Sequence, residues 1–92
     1  MYIIKPYTKR KAKLLNVLVK PSTRHGKKID VYKKTGEYIT SIGARGYADY
    51  PTFLLYYGKK YADEKRRLYK LRHEANRKVK GSRGWFADQL LW

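Results

Sequence analysis

The histidines are the residues best suited to acid–base or metal chemistry, and the sequence around them offers little support. His25 stands in the turn-rich segment 21–26, and His73 stands among lysines and arginines. The chain has no cysteine, and no carboxylate lies at a spacing that would orient either imidazole in a catalytic pair. Residues 43–46 lack the Gly-Lys-Ser/Thr of a phosphate-binding loop. We therefore predict a protein that is not an enzyme, with no cofactor, metal or small-molecule substrate.

The charge balance indicates a partner instead. The 92 residues include 23 Lys and Arg against 7 Asp and Glu, a formal net charge of +16. Such an excess attracts nucleic acid, anionic lipid or acidic protein surfaces. Hydrophobic residues make up 42% of the chain, which is enough for one small domain with a modest core.

One candidate surface for an acidic partner is a helix predicted over residues 61–79. Its core side is predicted to be a narrow apolar stripe of Leu68, Leu71, Ala75 and Val79. A separate cationic ridge follows the same helical spacing and includes His73. We expect Arg67 to pair with Asp63, and Lys78 with Glu74, which would leave the ridge without acidic partners. A solvated helix face is the alternative.

A second cationic candidate is the segment 1–13, predicted to be a basic N-terminal arm because Pro6 discourages an early helix. The alternative is a solubilising tail. Together the two segments give the predicted contacts for phosphate or an acidic partner: Lys9, Arg10, Lys11, Arg66, Lys70 and Arg77.

Aromatic residues form the other candidate surface, since the chain has ten tyrosines and two tryptophans. Aromatic rings among cations can stack on bases, build a protein interface or pack in a core. All three uses remain open for the individual rings. The predicted protein-interface aromatics are Tyr50, Phe53, Tyr56, Tyr57, Trp85 and Trp92.

The strands and helices predicted to position these residues indicate an α+β fold. Residues 27–42 alternate like a β-hairpin, and the apolar run 14–19 is either a third strand or a short helix. Asp49 suits the N-cap of a short helix that ends at Gly58. The predicted order is a small antiparallel hairpin or three-stranded meander, a short helix, a long basic helix and an aromatic C-terminal tail, with residues 14–92 forming a single domain.

Three sequence elements occur in an order that resembles a known family. They are SIGARGYADY at residues 41–50, an Arg-Arg-x-x-Tyr-x-x-Arg-His helix at 66–73, and a terminal Gly-Trp-Phe followed by Leu-Leu-Trp at 84–92. The pattern resembles small, basic, functionally uncharacterised proteins encoded by large nucleocytoplasmic DNA viruses of algae and protists. It departs from the family in its Trp-Phe order and in its apolar segment 53–57. The resemblance covers residues 20–92 and implies no catalytic residue.

The resemblance implies a virus-encoded protein, and we expect a minor capsid (cement) protein that bridges neighbouring capsid subunits. Its expected partners are the major and other minor capsid proteins of the virion, with DNA and the inner membrane surface as further candidates. The expected location is the virion, assembled in the host cytoplasm or nucleus. The alternatives are a nucleic-acid-binding protein for genome packaging and, ranked lower, a ribosome-type RNA-binding protein.

Overall fold

The structure, a computed structural model, describes residues 1–92 and comprises two compact units, Met1–Tyr47 and Ala48–Trp92. It confirms the predicted α+β class, with a three-stranded antiparallel sheet, helices and an aromatic-rich C-terminal helix. The predicted boundary between arm and domain, at residues 13 and 14, falls inside the first helix. The assignment of residues 14–92 to one domain stays a prediction.

The first helix, α1 (Pro6–Leu15), corrects the expectation that Pro6 would discourage a helix. The proline occupies the first helical turn, where its missing N–H costs no hydrogen bond and its fixed φ suits the helix. The helix ends at Asn16, which adopts the left-handed conformation at φ 60° and donates its N–H to the carbonyls of the last turn. Buried Thr8 and Ala12 mark the packed side of the helix, which contacts the first strand.

The sheet follows as β1 (Val17–Pro21), β2 (Lys27–Lys33) and β3 (Tyr38–Ala44), in that spatial order and antiparallel throughout. This confirms the predicted hairpin and gives the meander form of the fold. It also resolves the run 14–19, whose first residues end α1 and whose last residues enter β1. Ile29 pairs with Ile42, and both are completely buried, as is Val31 on the same face. That face is the core of the first unit.

The second unit begins with α2 (Tyr50–Tyr57), which confirms the predicted short helix and its N-cap. One carboxylate oxygen of Asp49 accepts hydrogen bonds from the Thr52 N–H at 3.0 Å and from the Thr52 hydroxyl at 2.6 Å. Pro51 lies in the first turn, and Gly58 ends the helix at φ 87°.

The long helix predicted over residues 61–79 is wrong in its extent. The chain forms α3 (Lys59–Arg72), turns at His73, and continues as the single-turn α4 (Glu74–Arg77). The predicted core stripe is also wrong, because Leu71 and Val79 are each 60% exposed. α3 buries Ala62 and Tyr69 instead.

The last helix, α5 (Arg83–Leu91), begins at Ser82, whose hydroxyl accepts a hydrogen bond from the Trp85 N–H. Its buried residues Phe86, Leu90 and Leu91 supply much of the core of the second unit. No helix in residues 1–92 combines the length and apolar character needed to cross a bilayer.

Candidate interaction surfaces

Arg66, at the start of the predicted cationic ridge, is a structural residue. Its guanidinium carbon lies 3.8 Å from the centre of the Tyr50 ring. Its terminal nitrogens donate to the Trp92 carbonyl at 3.3 Å and to Asp63 at 3.4 Å. The side chain therefore ties α2 and α3 to the last residue of the chain, and the expectation that it lacks an acidic partner is wrong.

Lys70, the next residue of the ridge, pairs with the carboxylate of Asp88 on α5. The distance from Nζ to Oδ1 is 2.7 Å, and the Asp88 side chain is only 3% exposed, against 32% for Lys70. A carboxylate this deeply buried needs a counter-charge to remain ionised at low energetic cost. The ammonium group of Lys70 supplies that charge.

Arg77 completes the ridge and is also internally bonded. Its Nη2 lies 3.2 Å from Glu74, and its Nε donates to the Lys70 carbonyl at 3.3 Å. The predicted pair of Lys78 with Glu74 is confirmed. The predicted pair of Arg67 with Asp63 is wrong, because Arg67 bonds Glu64 at 2.6 Å.

These pairs also fix the ionisation of the acidic residues. Hydrogen bonds from Lys59 and Tyr50 lower the pKa of the Asp63 carboxyl below its usual value. Burial, followed by the hydrogen bond to Asp63, raises the pKa of the Tyr50 hydroxyl. The carboxylate therefore stays charged and the phenol stays neutral, which suits a fixed hydrogen bond at 2.8 Å. Nowhere in residues 1–92 do three His, Cys, Asp or Glu side chains cluster as they would to hold a metal ion.

The cations of the second unit that lack an acidic partner lie outside the predicted ridge. Lys65 lies over the Tyr61 ring at 5.3 Å. Four others are exposed and form no ion pair: Lys60, Arg72, Lys80 and Arg83. Sequence spacing pointed to the wrong cations, because the side chains with regular spacing are those that hold the helices together.

The predicted contacts of the N-terminal segment lie on α1. Lys9 and Arg10 are exposed and have no acidic partner, and Lys11 lies over the Tyr7 ring at 5.6 Å. Consecutive helical residues point about 100° apart, so these three side chains do not share one face. Lys9 and exposed Lys13 do share a face, at i and i+4.

The first unit as a whole carries a large uncompensated charge. It contains twelve of the 23 basic residues and two of the seven acidic residues. Both carboxylates are already engaged, since Asp30 accepts from Ser41 at 2.6 Å and Glu37 pairs with Lys33 at 3.3 Å. Five exposed cations of this unit form neither an ion pair nor a ring contact and are available to an external anion: Lys9, Arg10, Lys13, Lys34 and Arg45.

Two of the predicted interface aromatics are internal. Tyr50 is 5% exposed, and Trp92 is 9% exposed, with its ring stacked on Tyr69 at 4.2 Å. Trp85 is half-buried against the edge of Phe86, at 5.0 Å between ring centres. These rings build the second unit rather than a free surface.

The remaining predicted aromatics lie at an exposed surface on α2 and the start of α3. Half-buried Phe53 contacts Tyr57 and Tyr61, and those two rings stack at 4.7 Å. We name the exposed residues of this surface the apolar patch: Leu54, Leu55, Tyr56, Tyr57 and Tyr61, which are 37, 66, 71, 64 and 42% exposed. Consecutive residues of α2 point about 100° apart, so these side chains surround the exposed sides of the helix and do not share one face. That much exposed apolar surface on one short helix is unusual for a helix that faces only water.

Sequence reasoning missed a concave region of the first unit. Its lining comes from residues 22–26, between β1 and β2, together with Met1 and Arg45, and its volume is about 750 Å³. Arg24 and Arg45 are distant in sequence and line the same concave region, where the Arg45 N–H donates to the carbonyl of Gly26 in the loop that carries Arg24. The cluster Ser-Thr-Arg-His-Gly at 22–26 was the available signal, and it was interpreted only as a turn.

Comparison of the chain with protein-family models, with curated proteins and with solved structures finds no match. The resemblance to viral proteins described above stays a prediction.

Proposed function

We propose that this protein is a non-enzymatic structural component of a virus particle, a minor capsid (cement) protein that bridges neighbouring capsid subunits. The observation that carries the proposal is the apolar patch. The viral setting, with assembly in the host cytoplasm or nucleus, comes from the sequence resemblance alone. The intended partners are the other capsid proteins.

The apolar patch supports a protein partner because of its composition. Tyrosine combines a large apolar area with a polar tip and is enriched in protein interfaces. Tyr56 and Leu55 project from the last turn of α2 with most of their surface in water. Covering these side chains would release that apolar surface from solvent, which is the main driving force of association.

The charges beside the apolar patch indicate what kind of protein surface would cover it. Lys60, exposed and unpaired, lies in the first turn of α3 next to Tyr61. Lys65 lies over the Tyr61 ring. The occupant with complementary chemistry is a capsid subunit that offers an apolar recess with acidic residues at its rim.

The internal pairing of Arg66, Lys70 and Arg77 also favours this function over duplex binding by the second unit. Each of the three has an acidic partner within its own unit. A helix that tracked a DNA backbone would present its cations to phosphates. Here the regular cationic ridge serves the fold, and the exposed apolar residues remain for a partner.

Binding of purified major capsid protein tests the proposal. The variant Leu55→Ser with Tyr56→Ser removes two exposed members of the apolar patch and should weaken capsid binding about tenfold or more, as expected for central interface residues. The control is Leu71→Ser with Val79→Ser, which removes two comparably exposed apolar side chains elsewhere and should change binding less than about twofold. Equal loss in both variants would contradict a specific patch.

Intact and emptied virions give an independent test. A cement protein should remain in DNA-free shells at a constant ratio to the major capsid protein, measured by quantitative mass spectrometry. Loss of the protein together with the genome would overturn the capsid function.

Nucleic-acid binding for genome packaging is the second candidate, favoured by the uncompensated cations of the first unit. Such a protein should bind duplex DNA of any sequence, with an affinity that falls steeply as salt rises. Charge removal at Lys9, Arg10 and Lys13 should reduce the slope of that dependence, whereas the Leu55 and Tyr56 substitutions should leave it unchanged.

A further inference from the structure

The concave region between β1 and β2 has a chemistry that goes beyond a protein interface. We propose that it is a phosphate-binding pocket, which we name the loop pocket: Ser22, Thr23, Arg24, His25, Gly26 and Arg45. Its ligand class is a phosphate group, either free or carried on a nucleic-acid strand.

Backbone hydrogen bonds fix the shape of the loop pocket. The Arg45 N–H donates to the Gly26 carbonyl at 3.0 Å, which holds the end of β3 against the loop. The Lys27 N–H donates to the Arg24 carbonyl at 3.2 Å, and the Ser22 N–H donates to the Lys28 carbonyl at 2.9 Å. Both arginines therefore start from positions that the backbone holds in place.

Contacts within the first unit orient the Arg24 side chain and still leave its guanidinium accessible to a ligand. Its guanidinium lies 4.5 Å from the centre of the Tyr38 ring, and its Nε lies 3.9 Å from Asp30. That carboxylate already accepts a short hydrogen bond from Ser41, and the contacts of the Arg24 side chain leave 57% of it exposed. A guanidinium that is held in place and still exposed is suited to bidentate binding of phosphate.

The rest of the loop pocket adds donors and little competing negative charge. Arg45 and His25 are exposed and have no acidic partner, and Thr23 offers an exposed hydroxyl. Asp30, 6% exposed, is the carboxylate nearest to Arg24. An anion that enters would therefore meet two guanidinium groups and pay little repulsion.

The loop pocket can also admit a phosphate that is carried on a nucleic-acid strand. The concave region is open to solvent and has a volume of about 750 Å³, so it does not enclose the group to which the phosphate would be attached.

Titration of the full-length protein with inorganic phosphate, followed by amide NMR, tests the proposal. Phosphate should perturb residues 22–26 and 45 first. Arg24→Gln with Arg45→Gln should weaken phosphate binding about tenfold or more, because two charge-assisted hydrogen-bonding groups are lost. If the variant with both changes folds poorly, Arg45→Gln alone serves as the test. It breaks no side-chain contact in the structure and should weaken phosphate binding about threefold or more.

The matched control is Lys34→Gln, which removes one charge from the exposed β2–β3 turn and should change phosphate affinity less than about twofold. A second titration uses a short single-stranded oligonucleotide. Weaker binding of both ligands in the arginine variants identifies a phosphate carried on a strand, and weaker binding of inorganic phosphate alone identifies a free phosphate. Equal weakening by Lys34→Gln and Arg45→Gln, or no binding of either ligand, would overturn the proposal.

The two proposals fail separately. The Leu55 and Tyr56 substitutions lie outside the loop pocket and should leave phosphate binding unchanged. Failure of capsid binding therefore says nothing against the pocket.

Discussion

Replacing Lys70 by Met tests the conclusion that this lysine stabilises the fold. The substitution keeps most of the aliphatic stem and removes the ammonium group that lies 2.7 Å from Asp88. The carboxylate, 3% exposed, would keep one long hydrogen bond, from Gln89 at 3.4 Å. Breaking a buried ion pair from one side costs about 3–5 kcal/mol.

The expected cost is at the lower end of that range or just below it. Lys70 is 32% exposed, so water can approach Asp88 once the ammonium group is gone. We expect a loss of about 2–3 kcal/mol in the free energy of unfolding. Asp88→Asn should cost about 1 kcal/mol, because it removes the buried charge and still offers Lys70 an acceptor. The double variant Lys70→Met with Asp88→Leu should recover much of the loss, since no unpaired charge remains buried.

Urea unfolding followed by tryptophan fluorescence measures these losses of stability in the second unit. Both tryptophans, Trp85 and Trp92, lie in the second unit, which also contains the ion pair. With a denaturant dependence of about 1 kcal/mol per M, Lys70→Met should lower the midpoint by about 2–3 M. Lys60→Met, at an exposed unpaired position of the same helix, should stay within about 0.5 kcal/mol.

Two results would refute this reasoning. One is a loss below about 1 kcal/mol for Lys70→Met, and the other is a larger loss for Asp88→Asn than for Lys70→Met. In either case the ion pair would not be what holds α3 to α5. Lys70 would then return to the set of cations available to an acidic partner.

Two further predictions concern the second unit. Asp49→Ala should lower the free energy of unfolding by about 1–2 kcal/mol in the same urea assay. Asp49→Ser should keep most of the wild-type stability, because serine can also cap α2. Hydrogen bonds from Arg67 to Glu64 and from Lys78 to Glu74 lower the pKa of both carboxyls, so the unfolded chain binds more protons than the folded one in acid. Their contribution to stability should be complete above about pH 5 and be lost as the pH falls through their lowered pKa values. Thermal unfolding from about pH 6 to about pH 2 should show this loss of stability, and the double variant Glu64→Gln with Glu74→Gln should depend less on pH. The same pH dependence in the wild-type protein and the variant would contradict the role of these two carboxyls.

Two local sequence signals, the hairpin turn and the Asp49 N-cap, predicted the local structure correctly. The hairpin could be predicted because β2 and β3 are joined by a short turn with Gly36 at φ 96°. The N-cap at Asp49 could be predicted because its bonding partner, Thr52, is only three residues away. Interactions of this kind depend on a few adjacent residues and need no knowledge of the tertiary arrangement.

Surfaces that depend on tertiary contacts could not be predicted in the same way. The spacing of Arg66 and Lys70 was correct as a helical ridge, but their partners Trp92 and Asp88 come from the end of the chain, 26 and 18 residues away. Helical periodicity cannot identify which side of a helix such partners will cover.

The prediction of an apolar core stripe on α3 was wrong for the same reason. Leu71 has the spacing of a core residue, yet the packed position is Tyr69, whose ring lies between His73 and Trp92. Aromatic stacking with the C-terminal residue determined which side of α3 is buried. The exposure of Tyr56 and Tyr57, in contrast, agrees with the predicted interface role of those two residues, while that role itself stays a prediction.

The cations of the first unit that lie over tyrosine rings have a consequence for its behaviour in salt. Lys20 lies over Tyr32 and Arg24 over Tyr38, so attraction to rings supplements the few ion pairs of this basic unit. Added electrolyte screens repulsion among many like charges and weakens only the few pairs with carboxylates. Concentrated salt should therefore raise the free energy of unfolding of this unit and release any bound polyanion. Extraction at high ionic strength should therefore yield a folded protein free of any bound polyanion.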